Sequence, residues 1–364
     1  MKKLAVLLCF FLFCTLVASS QSSRKLHEKA ILADAHNDVI SELMLDGIDI
    51  SNRLTKGHSD LVRWKEGGVD VQFFSVWTGE KARNKEGFYK DALQEIDSLG
   101  ILLLKNPGRM TLARKYKEVK KGLRHDKLVA LIGVEGGHMI EDDLDKLQEL
   151  YKLGMRYMTL TWNNSTSWAT SAMDETAPSK SPPGGETSQD SLKRKGLTDF
   201  GKQVVRKMNE LGVIVDLSHT GEQTFYDAIA TTTKPVMLSH SSVWSICPVF
   251  RNVKDEQIKA LAKNGGVICI NFYSGFISRG YDERSDYLTG PGRKPIQDSL
   301  ALIYTDTTVA RQEWRKYYRA EMKKFQPTLG QLVDHIDHIV KLVGDDYVGL
   351  GSDYDGVSSL PVGL

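Results

Sequence analysis

An excess of charge of one sign is missing from this chain of 364 residues. Its 48 lysines and arginines face 46 aspartates and glutamates. With no basic surplus to neutralise phosphates, the composition gives no reason to expect nucleic acid as a partner. Cysteine is scarce as well. Of four cysteines, Cys9 and Cys14 lie near the start, and only Cys247 and Cys269 remain beyond it. Two thiols in so large a chain make no disulfide framework, and Cys269, inside the apolar stretch 267–270, is expected to be a buried thiol. A long hydrophobic run occurs once, at 4–18, and it is short for a membrane-spanning helix. Lys2 and Lys3 precede it, and Ser19 and Ser20 follow. It therefore reads as a secretory signal peptide over 1–20, with an N-terminal membrane anchor as the rival. Cys14 follows Phe13 rather than a small residue, which argues against a lipoprotein. The expected location is periplasmic or secreted. Losing Lys2 and Lys3 would leave 46 basic against 46 acidic residues, a neutral mature chain with no transmembrane segment.

Two catalytic signatures are also absent. There is no Gly-x-Ser-x-Gly elbow, and Ser218 and Ser239 each directly precede a histidine, so on an extended segment the paired side chains point to opposite faces. No glycine-rich phosphate fingerprint follows the first apolar run, which weakens an open doubly wound sheet.

What is present is a regular alternation. Apolar runs lie at 31–36, 69–77, 128–135, 156–162, 213–219, 235–240, 266–273 and 347–353, and amphipathic stretches at 144–153, 199–211, 222–230, 255–263 and 329–343. Thr198 suits a helix N-cap and Gly212 a C-cap. Eight apolar runs, several rich in Val and Ile, alternating with helices predict a parallel sheet, and eight strands close a (β/α)8 TIM-like barrel. Residues 21–364 read as a single catalytic domain of this kind. The stretch 165–195, rich in Ser, Thr, Pro and Gly, reads as a long loop. The stretch 280–326 reads as an insertion. Its second half, 308–324, is expected to be a solvated basic helix, with a lid or a subunit contact as the rival, which leaves a homodimer open.

The polar residues at the ends of these runs are chemically selective: Asp34-Ala35-His36-Asn37-Asp38, Gly133-Val134-Glu135-Gly136-Gly137, Asp216-Leu217-Ser218-His219, Leu238-Ser239-His240-Ser241-Ser242, and Gly351-Ser352-Asp353-Tyr354-Asp355-Gly356. In a (β/α)8 barrel all C-terminal strand ends meet at one mouth. Histidines and carboxylates distant in sequence would converge there, a donor set that suits zinc or a similar first-row ion. His36 and Asp38, two apart on an extended segment, face one side and place two ligands on one metal. His27, His58, His125, His138, His335 and His338 do not share that placement. Metal-assisted hydrolysis is therefore favoured over nucleophilic catalysis.

These motifs, with Gly136-Gly137-His138 and Arg251-Asn252-Val253, resemble the motif series of the membrane dipeptidase (renal dipeptidase) family, in order from about residue 28 onward. The resemblance implies a binuclear zinc barrel that cleaves dipeptides, often with a D-residue at the C-terminal position; some members also open β-lactam rings. It implies His36 and Asp38 as ligands of one zinc, His219 and His240 as ligands of the second, and Glu135 as the bridging carboxylate. Manganese or cobalt would also suit these donors. Arg251 would hold the substrate carboxylate, Asp353 would handle the proton, and Trp162 and Tyr273 would contact substrate. The alternatives are another binuclear amidohydrolase, such as an N-acyl amino acid deacylase or lactonase, or a metal-retaining binding protein. Two features depart from the family pattern. Thr159-Leu160-Thr161 leads to Trp162 where the family commonly has a substrate-contacting histidine, so Asn163 or Asn164 is a candidate replacement donor. The chain also ends at Leu364, eight residues after Gly356, without the helix expected to cover the eighth strand.

Overall fold

The computed structural model describes residues 23–176 and 196–364. The expected leader and most of the expected long loop, 177–195, lie outside the described residues. Nine strands occur among those described: β1 Leu32–Asp34, β2 Val69–Trp77, β3 Met110–Leu112, β4 Leu128–Glu135, β5 Met155–Thr159, β6 Ile214–Asp216, β7 Met237–Ser241, β8 Val267–Ile270 and β9 Val348–Leu350. Every pairing is parallel. β2 pairs with β1 and β4, the series runs on through β5 to β9, and β9 returns to β1 through Asp34 and Leu350. Eight strands thus close a (β/α)8 barrel.

β3 was not foreseen. It pairs Met110 to Leu112 against Leu128 to Ala130 at the start of β4, on the edge that β5 occupies from Ile132 onward. Three residues are too few to show a periodicity. Apart from β2 and β4, which match their runs, the barrel strands are shorter than the apolar runs that announced them. In the run 213–219, for example, only Ile214–Asp216 is strand, because a turn at Ser218 and His219 ends it.

The sequence explains most element ends. Thr198 accepts a hydrogen bond from Gly201 N, and Gly212 closes the helix Asp199–Leu211 at φ 77, where a Cβ would be strained. Asp143 caps Leu144–Leu153. Thr328 and Gln331 form a reciprocal cap for Leu329–Val343. Leu147, Leu150, Val204, Val205, Met208, Ile258 and Leu261 form the buried helix faces against the barrel. Each such side chain contributes about 1.5–3 kcal/mol of burial. β4, apolar along most of its length, is buried on both faces.

The insertion folds as three helices, Arg279–Thr289, Arg293–Ile303 and Thr307–Lys323. Tyr281, Leu288 and Met322 form a small core of their own. On the basic third helix only Met322 is buried, as a solvated helix requires. No helix follows β9 among the described residues; the tail instead pairs Val362 with Thr328. Cys247 and Cys269 are free and buried. Among the described residues no helix is long and apolar enough to cross a membrane.

Candidate metal centre

Two buried aspartates hold the C-terminal barrel rim together. Asp34, the last residue of β1, accepts hydrogen bonds from Ser352 N at 2.7 Å, Ser352 Oγ at 2.6 Å and Gln72 Nε2 at 2.9 Å. It thereby ties β1 to β9 and β2. Asp216, the last residue of β6, accepts from Ser239 N at 2.8 Å and Ser239 Oγ at 2.6 Å, and from the Thr159 hydroxyl. It ties β6 to β7 and β5. Neither carboxylate is among the groups that converge at the centre, although both stand in the strand-end motifs.

Beyond β1 the chain stays extended, so alternate side chains point the same way. Asn37 turns outward, where its Nδ2 donates to Ser59 Oγ at 2.7 Å. His36 and Asp38 turn inward, with His36 Nε2 3.4 Å from Asp38 Oδ2 and 3.4 Å from Glu135 Oε2. Glu135 ends β4. Its other oxygen, Oε1, lies 2.9 Å from His219 Nε2 and 3.3 Å from His240 Nε2. Those two imidazole nitrogens are 3.0 Å apart. His219 reaches this position through a left-handed backbone, φ 65. Non-glycine residues hold such a conformation at a cost of roughly 1–3 kcal/mol, and they cluster at functional sites. Asp353 is held likewise, at φ 59.

Each Nδ1 of the three histidines has a partner: Tyr157 OH at 2.7 Å for His36, Asn163 Oδ1 at 3.0 Å for His219, and Ser239 Oγ at 2.8 Å for His240. All three Nε2 atoms are therefore aimed at Glu135, the arrangement in which imidazoles are oriented as metal ligands. Tyr157 gains its place because β5 sets it beside Gly133 of β4. A Cβ at Gly133 would overlap the tyrosine ring.

The electrostatics agree with a cation site. His219 and His240 are buried. Burial and the charge of Arg251 hold His219 down at about 3, and burial together with His36 holds His240 well below the usual imidazole range. Both keep a free lone pair. Burial works to raise Glu135, but the charge of His36 and the close approach of the other two imidazoles take it well below 4.5, so it stays ionised. Burial also opposes a proton on His36, yet Tyr157, Asp38 and Glu135 outweigh it and pull the imidazole well above 6.5. His36 Nε2 and Asp38 Oδ1 are buried without a hydrogen-bond partner. Three imidazoles and two carboxylates around buried orphan atoms fit first-row divalent cations. The donor atoms fall into overlapping groups: His36, Asp38 and Glu135; Glu135, His219 and His240; and His36, His240 and Asp353.

A cavity of about 350 Å³ opens onto this cluster, with walls that include Trp77, Trp162, Asn163, Arg251, Tyr273 and Asp353. That volume suits a small ligand. Arg251 is buried, donates from Nη2 to His240 O at 3.2 Å, and lies over the Phe276 ring at 5.4 Å. Burial lowers it to about 10 against the pull of Asp353, so it remains charged. Asp353 Oδ2 accepts from Asn271 Nδ2 at 2.8 Å. Burial and the neighbouring Asp38 carboxylate raise it well above 3.8. Trp162 lies edge-to-face with Trp77, ring centroids 5.2 Å apart. Tyr273 packs on Phe276, and burial pushes its phenol pKa up.

Of the other histidines, His138 stands outside the cavity lining. It is buried, and its Nε2 lies 3.2 Å from Thr78 O. His335 is a core residue between Val243 N and Ile277 O. Tyr157 and Asn271 were not foreseen in their supporting positions, because their partners His36 and Asp353 follow other strands; Ser239, also not foreseen, supports its own neighbour His240.

The profile of the family described as "Membrane dipeptidase (Peptidase family M19)" matches residues 20–364. The chain is 32% identical over 365 residues to an uncharacterized dipeptidase of Schizosaccharomyces pombe, covering 95% of this chain and 74% of that one. Its fold is similar to that of a probable dipeptidase from Pseudomonas aeruginosa, with a TM-score of 0.72 at 20% identity over 94% of this chain and 88% of that one. It is also similar to a metallopeptidase from Rhodobacter sphaeroides bound to a phosphinate mimic of the dipeptide L-Ala-D-Ala, with a TM-score of 0.69 at 23% identity over 92% and 88%.

Proposed function

The chain belongs to the membrane dipeptidase family, peptidase family M19, and from that premise we propose that it hydrolyses dipeptides with two zinc ions, including dipeptides with a C-terminal D-residue. The observation that carries this reading is the division of Glu135, whose Oε2 faces His36 while Oε1 faces His219 and His240. His36 and Asp38 would hold one ion, His219 and His240 the other, and Glu135 both. Bound there, the ions would lower the pKa of a water to about 7 and polarise the peptide carbonyl.

The chain's own residues do the rest. Arg251 grips the free carboxylate of the substrate with two parallel hydrogen bonds, which confines cleavage to the bond one residue before the C-terminus. Asp353, whose Oδ2 is held by Asn271 Nδ2, takes a proton from the attacking water and delivers it to the leaving amine. Trp162 and Tyr273 shape the side-chain pockets, and the aromatic wall excludes water. The leader at 1–20 would export the enzyme.

The test is a panel of L-L and L-D dipeptides and N-acyl amino acids, assayed with zinc-reconstituted protein alongside elemental analysis. Dipeptide turnover at two zinc ions per chain is expected. Turnover of N-acyl amino acids alone would move the reading to a deacylase, and bound zinc with no turnover of either would leave a binding protein.

A further inference from the structure

Of the three groups that hold the Nδ1 atoms, Tyr157 and Ser239 are fully buried. Asn163 is different: it is half-buried and lines the cavity between Trp162 and His219. Its orientation is decided by its neighbour. His219 Nε2 faces Glu135 Oε1 at 2.9 Å, and an Nε2 that is to hold a cation carries no proton. The proton then sits on Nδ1, and the Asn163 atom 3.0 Å away is the acceptor Oδ1. The backbone is anchored too, since Asn163 O accepts from Ser171 Oγ at 2.6 Å.

With Oδ1 engaged, Nδ2 is left as a donor on the cavity wall. Of the nearby donors, Asn271 Nδ2 is bound to Asp353, Trp77 Nε1 is closed off from solvent, and Arg251, given to the substrate carboxylate in the reading above, also donates from Nη2 to His240 O.

We infer that Asn163 is a catalytic residue with two duties: its Oδ1 holds His219 in the tautomer that can ligate, and its Nδ2 donates to the substrate carbonyl oxygen as that oxygen gains negative charge. This rests on the peptide-hydrolase reading above. In the step, the water oxygen bonds to the carbonyl carbon while the C=O π pair moves onto the carbonyl oxygen. The pair then returns as the C–N bond breaks, and the proton that Asp353 took from the water leaves on the amine. A fixed amide donor strengthens as the charge develops, which lowers the barrier more than it tightens substrate binding.

Asn163→Asp and Asn163→Ala separate the duties. Aspartate keeps an oxygen for His219 but brings no donor; alanine removes both. Three quantities are read: zinc affinity by chelator competition, kcat and KM on L-Ala-D-Ala, and inhibition by a phosphinate dipeptide mimic. Asn163→Asp should bind zinc within about 3-fold of the wild type, while kcat and phosphinate affinity each fall on the order of 100-fold and KM barely moves. Asn163→Ala should lose kcat and also bind zinc roughly 10- to 100-fold more weakly. Wild-type kcat and phosphinate affinity in Asn163→Asp would overturn the donor role, and wild-type zinc affinity in Asn163→Ala would overturn the positioning role. Both outcomes differ from a failure of the dipeptidase reading, in which the wild type itself turns over no dipeptide.

Discussion

Replacing Tyr157 with phenylalanine should weaken one metal position and spare the other. Tyr157 is fully buried, and its hydroxyl sits 2.7 Å from His36 Nδ1. Phenylalanine keeps the ring in the space left by Gly133, so packing is preserved and one oxygen is lost. His36 then has a buried Nδ1–H with no partner, a cost of roughly 1–3 kcal/mol, and its ring is free to rotate. Loss of such an outer hydrogen bond typically weakens metal binding about 10- to 100-fold, equivalent to about 1.4–2.7 kcal/mol. Because burial holds the Tyr157 phenol above its ordinary pKa, the hydroxyl stays protonated at neutral pH and the effect should not vary with pH there. The assay is stepwise zinc titration against a chelator. The ion held by His36 and Asp38 should be lost at 10- to 100-fold higher free zinc, and the ion held by His219 and His240 should keep its affinity. Two ions bound as tightly as in the wild type would refute the claim that Tyr157 fixes His36; equal weakening of both would refute the assignment of His36 to one side.

Other substitutions probe other links. Arg251→Lys keeps the charge but loses the planar fork, so kcat/KM should fall roughly 10- to 100-fold, chiefly through KM; an unchanged KM would remove Arg251 from carboxylate binding. Trp162→His should open the wall that packs on Trp77 and speed dipeptides with bulky side chains more than small ones, whereas identical preferences would show that Trp162 does not shape the pocket. His138 gives a pH test. Burial lowers it from 6.5 to about 4, so between those values the unfolded chain binds the extra proton and the folded chain does not. Its contribution is therefore present above pH 6.5 and is lost as pH falls towards 4, about 2 kcal/mol of it by pH 5 as an upper bound. Urea unfolding of metal-free wild type and His138→Gln at pH 7.5 and pH 5 should show the wild type losing more; parallel losses would contradict a neutral buried His138.

The barrel and the convergent residues were legible in the sequence because their causes are local. Each of the eight apolar runs became a barrel strand, since a strand buried on both faces must be apolar along its length. His36 and Asp38 could be assigned to one side from the period of two alone. Once the runs were counted, closure of the ring carried His219, His240 and Glu135 to the same mouth. The helix from Asp199 to Leu211 announced both of its ends in Thr198 and Gly212.

What the tertiary structure alone decided are the contacts set by register between distant strands. Tyr157 reaches His36 across 121 positions, and Asn163 reaches His219 across 56. Neither distance follows from sequence spacing, because a shift of one residue in the pairing of β4 with β5 would turn Tyr157 out of the barrel. The same holds for Asp34 and Asp216, which stand in the strand-end motifs beside the ligands. Whether such a carboxylate meets a cation or ties neighbouring strands depends on which face it takes at the rim, and only the closed barrel sets that. β3 escaped notice because three residues carry no period; they became a strand through the free edge at the start of β4.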